Sequence, residues 1–226
     1  MSNNYLYNKD FGKIEAIGIA KRLLDTNCKE LIYQKVEPRP GGYFVQNHQD
    51  LILKKENKAK EVIEKKTLRQ AVIDNYGKYT VDYEINICPG TKQNIDVLFI
   101  HDGFLFIGEM KGPEASGDEP LLKPLLEIET YSRIIDSEKF IDDFTNNLNW
   151  VREALSKSQV IKKAIIVYEK KDGKSSPMFR QLFDGKYSET YKILMEKLKI
   201  YAIKAESFCK KDGKVEFFTG FSPKDY

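Results

Sequence analysis

Two apolar runs separated by a two-residue turn signal dominate the middle of the chain. Ile95 to Ile100 is apolar except for Asp96, Phe104 to Met110 is apolar except for Gly108 and Glu109, and His101-Asp102-Gly103 lies between them. Asp-Gly between two such runs points to a tight β-hairpin, because the favoured turn needs positive φ at both central residues. With that turn, His101 faces Phe104, Ile100 faces Leu105, Leu98 faces Ile107 and Asp96 faces Glu109. Lys111, two residues beyond Glu109, points to the same face. Strands that are apolar on both faces are central and covered, so the hairpin predicts an interior sheet.

The flanking sequence supplies the other layers. Apolar residues at helical spacing predict a helix over Ile14–Leu24 and another over Lys58–Tyr76, the second ended by Gly77. Short strands are expected at Tyr43–Val45, Leu51–Leu53 and Val81–Ile87, with Pro89-Gly90 as a turn. After the hairpin, Leu121–Ile135 reads as a helix that tolerates Pro124 in its first turn. Phe140–Leu155 reads as a further helix, Val160–Tyr168 as a strand and Tyr187–Leu198 as a helix. Ile200–Phe208 and Val215–Thr219 flank a second hairpin at Lys211-Asp212-Gly213. Helix, three strands, helix and strand, with additions at both ends, predict an α/β sandwich with a central mixed β-sheet flanked by helices. The expected organisation is a helical and short-strand extension over residues 1–57, packed on a core domain over residues 58–226.

Composition narrows the functional classes. A chain of 226 residues suits one domain, or one domain with an appendage. The net charge of +3 permits nucleic-acid binding without arguing for it. Cys28, Cys88 and Cys209 are scattered and lack Cys-x-x-Cys spacing, and His48 and His101 are distant from any cysteine pair. A disulfide framework and a zinc site are therefore not expected, and a reducing, cytoplasmic setting is. The polar opening residues have no signal-peptide pattern, and no apolar run is long enough to span a membrane.

The charged residues of the hairpin carry the chemistry. Two carboxylates facing each other within covered strands repel, and burial adds a desolvation cost to each. A divalent cation between them resolves both problems, and hard cations such as Mg²⁺ take oxygen ligands. A lysine alongside can stabilise developing negative charge. Metal, lysine and carboxylates together suit attack on a phosphodiester. Glu-x-Lys itself is uninformative here, since it recurs at Glu56/Lys58, Glu64/Lys66 and Glu169/Lys171. Only Glu109/Lys111 ends an apolar strand with a carboxylate registered opposite. The competing reading is an Asp96–Lys111 salt bridge at the sheet end, with Glu109 solvated.

These residues resemble the PD-(D/E)xK nuclease superfamily. The matching pieces are Ile95-Asp96-Val97-Leu98 and Ile107-Gly108-Glu109-Met110-Lys111, with thirteen residues from Asp96 to Glu109. Ile95 replaces the namesake proline. Within it, the chain resembles the N-terminal nuclease domain of type I restriction enzyme motor subunits, on the strength of Glu64-Lys65-Lys66-Thr67-Leu68-Arg69-Gln70. The resemblance covers roughly Lys58 to Tyr168 and implies a restriction-endonuclease-like fold. It implies Asp96 and Glu109 as metal ligands, Lys111 as the catalytic lysine, and Glu64 as an accessory acid and ligand, with Glu61 its competitor. Glu127-Ile128-Glu129-Thr130-Tyr131 is similar to the family's Gln-x-x-x-Tyr, with glutamate for glutamine. Lys123, Glu127 and Tyr131 would share one helix face. The implied activity is Mg²⁺-dependent phosphodiester hydrolysis, with Mn²⁺ as a substitute and DNA as the expected substrate, in restriction, phage defence or repair. The alternative is a catalytically inactive module of the same fold that binds nucleic acid or a protein partner. A homodimer or a partner protein is left open.

Three other features have two readings each. Lys54, Lys55, Lys58, Lys60, Lys65, Lys66 and Arg69 suit a phosphate backbone or a solvated face balanced by Glu56, Glu61 and Glu64. The Gly112–Pro120 loop is a substrate-side loop or a linker. Trp150 is a core residue or a stacking platform.

Overall fold

The computed structural model describes residues 12–28, 39, 41–45, 80–88, 94–111, 119–155, 160–169, 177–183, 185–206 and 215–218. Its elements are α1 (Lys13–Asp25), β1 (Thr80–Asn86), β2 (Asn94–His101), β3 (Phe104–Lys111), α2 (Leu122–Ile134), α3 (Ser137–Asn147), α4 (Asn149–Ala154), β4 (Ile161–Glu169), α5 (Pro177–Phe183), α6 (Ser188–Leu198), β5 (Ile200–Glu206) and β6 (Val215–Phe218). The expected helix over Lys58–Tyr76, with Glu61, Glu64 and the basic residues around them, lies outside the described residues, as do the Leu51–Leu53 strand and the Pro89-Gly90 turn. So do residues 112–118 of the loop after Lys111 and the turn at Lys211-Asp212-Gly213.

The strands form one six-stranded sheet in the order β1-β2-β3-β4-β5-β6. β1, β2 and β3 make an antiparallel meander, β3–β4 and β4–β5 pair in parallel, and β5–β6 are antiparallel. Each parallel step needs a crossover. α2, α3 and α4 supply the first, α5 and α6 the second. Both steps advance across the sheet in one direction, so right-handed crossovers place their helices on the same face. The core has this arrangement: Leu125, Phe140, Phe144, Met178 and Leu194 cluster with Leu98, Ile107 and Ile165 of the sheet. α1 joins the same cluster through Ala16, Ile17, Ala20 and Leu23, so this part of the N-terminal region packs on the core. A second cluster on the other face contains Val97, Phe99, Phe106, Met110, Ala164, Ile166, Tyr201 and Ile203. β2 and β3 are buried at every position but their ends, as central strands must be. The α/β class and the mixed sheet with packed helices thus follow the sequence-based prediction.

Three expectations need correction. Tyr43–Val45 is not a strand. The Tyr43 N–H donates to Asp143 Oδ2 at 2.8 Å and its hydroxyl to the Arg39 carbonyl at 2.8 Å, so side-chain bonds do there what a ladder would. Phe140–Leu155 is two helices, parted at Leu148, whose φ of −129° and ψ of 96° are extended. Asn146 and Asn147 are poor helix formers, and Asn147 Nδ2 turns back to the Asp143 carbonyl at 2.7 Å. α3 also begins earlier than expected, because Asp136 caps it by accepting from the Lys139 N–H at 3.2 Å. The third correction is α5, which no periodic run announced. Its one signal is Pro177 at the first helical position. Among the described residues no helix is long and apolar enough to cross a membrane.

Candidate active site

The hairpin turn has the geometry its residues demand. Asp102 and Gly103 have φ of 49° and 76°, as a two-residue turn matched to strand twist requires. Pairing runs from His101↔Phe104 through Ile100↔Leu105 and Leu98↔Ile107 to Val97↔Gly108, the register expected from the sequence. Beyond Val97 and Gly108 the sheet forks. β2 stays with β1 through Ile85↔Ile95 and Asn86↔Asn94, while β3 stays with β4 through Glu109↔Ile165 and Lys111↔Val167. A regular ladder would aim the Met110 N–H at the Ile95 carbonyl. It donates instead to Asp96 Oδ2 at 2.8 Å. Asp96 therefore reaches across the fork to β3, and the expected Asp96–Glu109 pair is not part of the ladder. Gly108 permits the last tight pair: a Cβ there would lie 2.8 Å from Val97 Cγ1.

Both carboxylates are inside the protein, with Glu109 5% and Asp96 9% exposed. Glu109 continues the face of Leu105 and Ile107, which belong to the helix-side core. Its pKa is raised well above the usual carboxylate range, first by burial and then by the Asp96 charge, with Lys111 opposing both. The competing expectation of a solvated Glu109 is thereby corrected: helices packed on this face of the sheet leave the side chain buried.

Lys111 gathers the remaining acids. Its Nζ lies 3.0 Å from Glu109 Oε1, 3.5 Å from Glu119 Oε1 and 3.7 Å from Glu127 Oε2. Burial alone would lower the lysine's pKa, but Glu109, Glu127 and Glu119 outweigh it and the net shift is upward. Glu127 reaches the cluster from α2, where Tyr131, one turn on, donates its hydroxyl to Glu127 Oε1 at 2.8 Å. α2 can bring a glutamate this deep because it is buried around most of its circumference, through Leu125, Leu126, Ile128 and Thr130 among others.

The structure thus brings together Asp96, Glu109, Lys111, Glu127 and Tyr131. Glu64 is outside the described residues. Glu119 was not foreseen. It stands eight residues past Lys111 in aperiodic sequence, where an acid carries no positional signal.

The donor set can be tested against a cation. Among the described residues, no three His, Cys, Asp or Glu side chains are grouped so as to hold a metal. Two carboxylates at the fork nonetheless suit Mg²⁺ or Mn²⁺, since Mg²⁺ is commonly held by one or two carboxylates and completes its shell with water and phosphate oxygens. The fit rests on two buried acids close enough for the charge of one to hold back ionisation of the other. The chain matches no family model, no curated protein and no solved structure with which it was compared.

Proposed function

We propose that the chain is a metal-dependent nuclease that hydrolyses phosphodiester bonds, with Mg²⁺ as its cofactor, Mn²⁺ as a substitute and DNA as its substrate. The observation that supports this reading most is the buried Glu109 carboxylate beside Asp96 at the fork, with the Lys111 ammonium 3.0 Å away. Asp96 and Glu109 would hold the ion. When bound, such an ion polarises a phosphoryl oxygen and lowers the pKa of a coordinated water. Asp96 enters this role already oriented, because its second task is to accept the Met110 N–H. Lys111 places a fixed positive charge where negative charge accumulates as the phosphodiester is attacked. Glu127, fixed by Tyr131, orients that ammonium. Glu64 enters as an accessory acid on the resemblance alone, and so do the restriction, phage-defence or repair setting and a cytoplasmic location.

The test is a digest of plasmid, linear duplex DNA, single-stranded DNA and RNA, with Mg²⁺ and with Mn²⁺. Wild type should cleave at least one substrate, and Asp96→Asn and Glu109→Gln should not. A wild-type chain inert on all four with both ions contradicts the proposal. Binding without cleavage would return the inactive-module alternative.

A further inference from the structure

Lys111 is a cation with three carboxylates around it. Its ammonium carries three protons, and the described residues place three carboxylate oxygens within ion-pair range of it, from Glu109, Glu119 and Glu127. The three acids are anchored differently. Glu109 belongs to an interior strand and is buried. Glu127 lies on α2, and its other oxygen accepts from Tyr131. Glu119 stands just before α2, on a stretch tied to α5 by one side chain. Gln181 Nε2 donates to the Glu119 carbonyl at 3.0 Å, and the Leu121 N–H donates to Gln181 Oε1 at 2.9 Å. One amide thus grips the main chain on both sides of Pro120, as a neighbouring strand would.

A phosphate oxygen approaching the Lys111 ammonium competes with these three carboxylates. Displacing Glu109 would strand a buried carboxylate, and Glu127 is held in place from its other oxygen by Tyr131. Glu119 alone of the three stands outside the regular elements, and among the described residues no side-chain bond other than its pairing with Lys111 ties its carboxylate. We propose that Glu119 is an internal competitor for polyanions: its carboxylate occupies Lys111 when no nucleic acid is bound, Gln181 keeps it there, and an incoming phosphodiester displaces it. This rests on the nuclease reading, because only an anionic substrate at Lys111 gives the competition meaning.

The experiment is fluorescence anisotropy with the full chain in EDTA at fixed salt, using labelled duplex and single-stranded DNA oligonucleotides as probes. Glu119→Gln should bind at least one of them roughly threefold more tightly than wild type, the scale of a partly exposed ion pair. Glu189→Gln removes an exposed acid at the start of α6 and controls for net charge. Gln181→Met alters no charge, yet it should tighten binding in the same direction. Combined with Glu119→Gln it should add nothing further, since the clamp acts only through Glu119. Gln181→Asn, too short to make both bonds, replaces Gln181→Met if thermal melting shows that variant unfolded. Wild-type affinity in the Gln181 variant overturns the proposal, as does a Glu119→Gln gain no larger than that of Glu189→Gln. Both results leave the nuclease reading standing, provided the wild-type chain binds the probes. Failure of every variant and of wild type to bind either probe removes both.

Discussion

A carboxylate that enters a sheet interior gives up the water that stabilises its charge. Glu109 does so beside Asp96, and burial followed by that neighbour raises its pKa. The sign of the consequence is definite. With the folded pKa above the unfolded one, the folded chain binds more protons between the two values, so this group's contribution to stability falls as pH rises through that window. In EDTA, thermal melts should therefore show wild type losing stability relative to Glu109→Gln as pH rises above the ordinary glutamate range. A difference that is flat with pH, or of opposite slope, would contradict the placement of Glu109. Asp96→Asn should fold and melt higher than wild type near neutral pH without metal, because it removes the repulsion while its amide oxygen can still accept from Met110. If it unfolds the chain, Asp96 is a structural anchor first. Gly108→Ala tests the close packing at the fork. A Cβ 2.8 Å from a β-branched side chain forces Val97 or the strand to move, a change that costs about 1–3 kcal/mol in denaturant titrations. An unchanged midpoint would mean that the strands part without cost.

At the scale of elements, the hairpin and α2 build the site. The register of β2 on β3 was legible in the sequence because Asp102-Gly103 leaves a two-residue turn little choice and a period of two carries that choice to Leu98 and Ile107. The fork was not legible, because a side chain, Asp96, takes a backbone donor that the ladder would otherwise use, and alternation of apolar residues is blind to that substitution. Glu127 and Tyr131 were legible through the resemblance to Gln-x-x-x-Tyr, whose two residues, four apart, share a helix face. Glu119 was not, because its position depends on Gln181 from a helix of seven residues too short to show periodicity. The place of Glu127 beside Lys111 gives a prediction on activity. Glu127→Gln should keep nuclease activity with a weaker apparent affinity for Mg²⁺, since it removes a negative charge near the carboxylate pair. Glu127→Lys should be far worse, since it brings a second cation to the site of the first. Activity against Mg²⁺ concentration distinguishes these, and indistinguishable curves for the three proteins would show that Glu127 has no part in the reaction.

Across the whole molecule, two crossovers in one direction put α2 to α6 into one core, which α1 joins from the N-terminal side, and polar contacts lock that layer to the sheet. Glu129 on α2 is buried, accepts from Arg133 at 2.6 Å and pairs with Lys163 of β4. Lys163 also donates to the Leu198 carbonyl at the end of α6, where a cation complements the helix dipole. One lysine thereby joins both crossovers to the strand between them. Glu129→Ala should cost about 3 kcal/mol or more, because it leaves a largely buried lysine without its carboxylate. A denaturant midpoint like that of wild type would contradict this. The layer order was legible from the sequence because β-branched runs alternate with helical spacing. The break at Leu148 was not, since the apolar period continues across it. What this architecture does for chemistry is to hold Asp96 and Glu109 at a fork where neither can easily be solvated. The most direct test of the account is calorimetric titration of the apo chain with Mg²⁺ and Mn²⁺, for wild type, Asp96→Asn and Lys111→Met. Wild type should bind the ion, Lys111→Met should bind it undiminished while losing cleavage, and Asp96→Asn should give no binding heat. A wild-type chain that binds neither ion, or an Asp96→Asn chain that binds as wild type does, would contradict it.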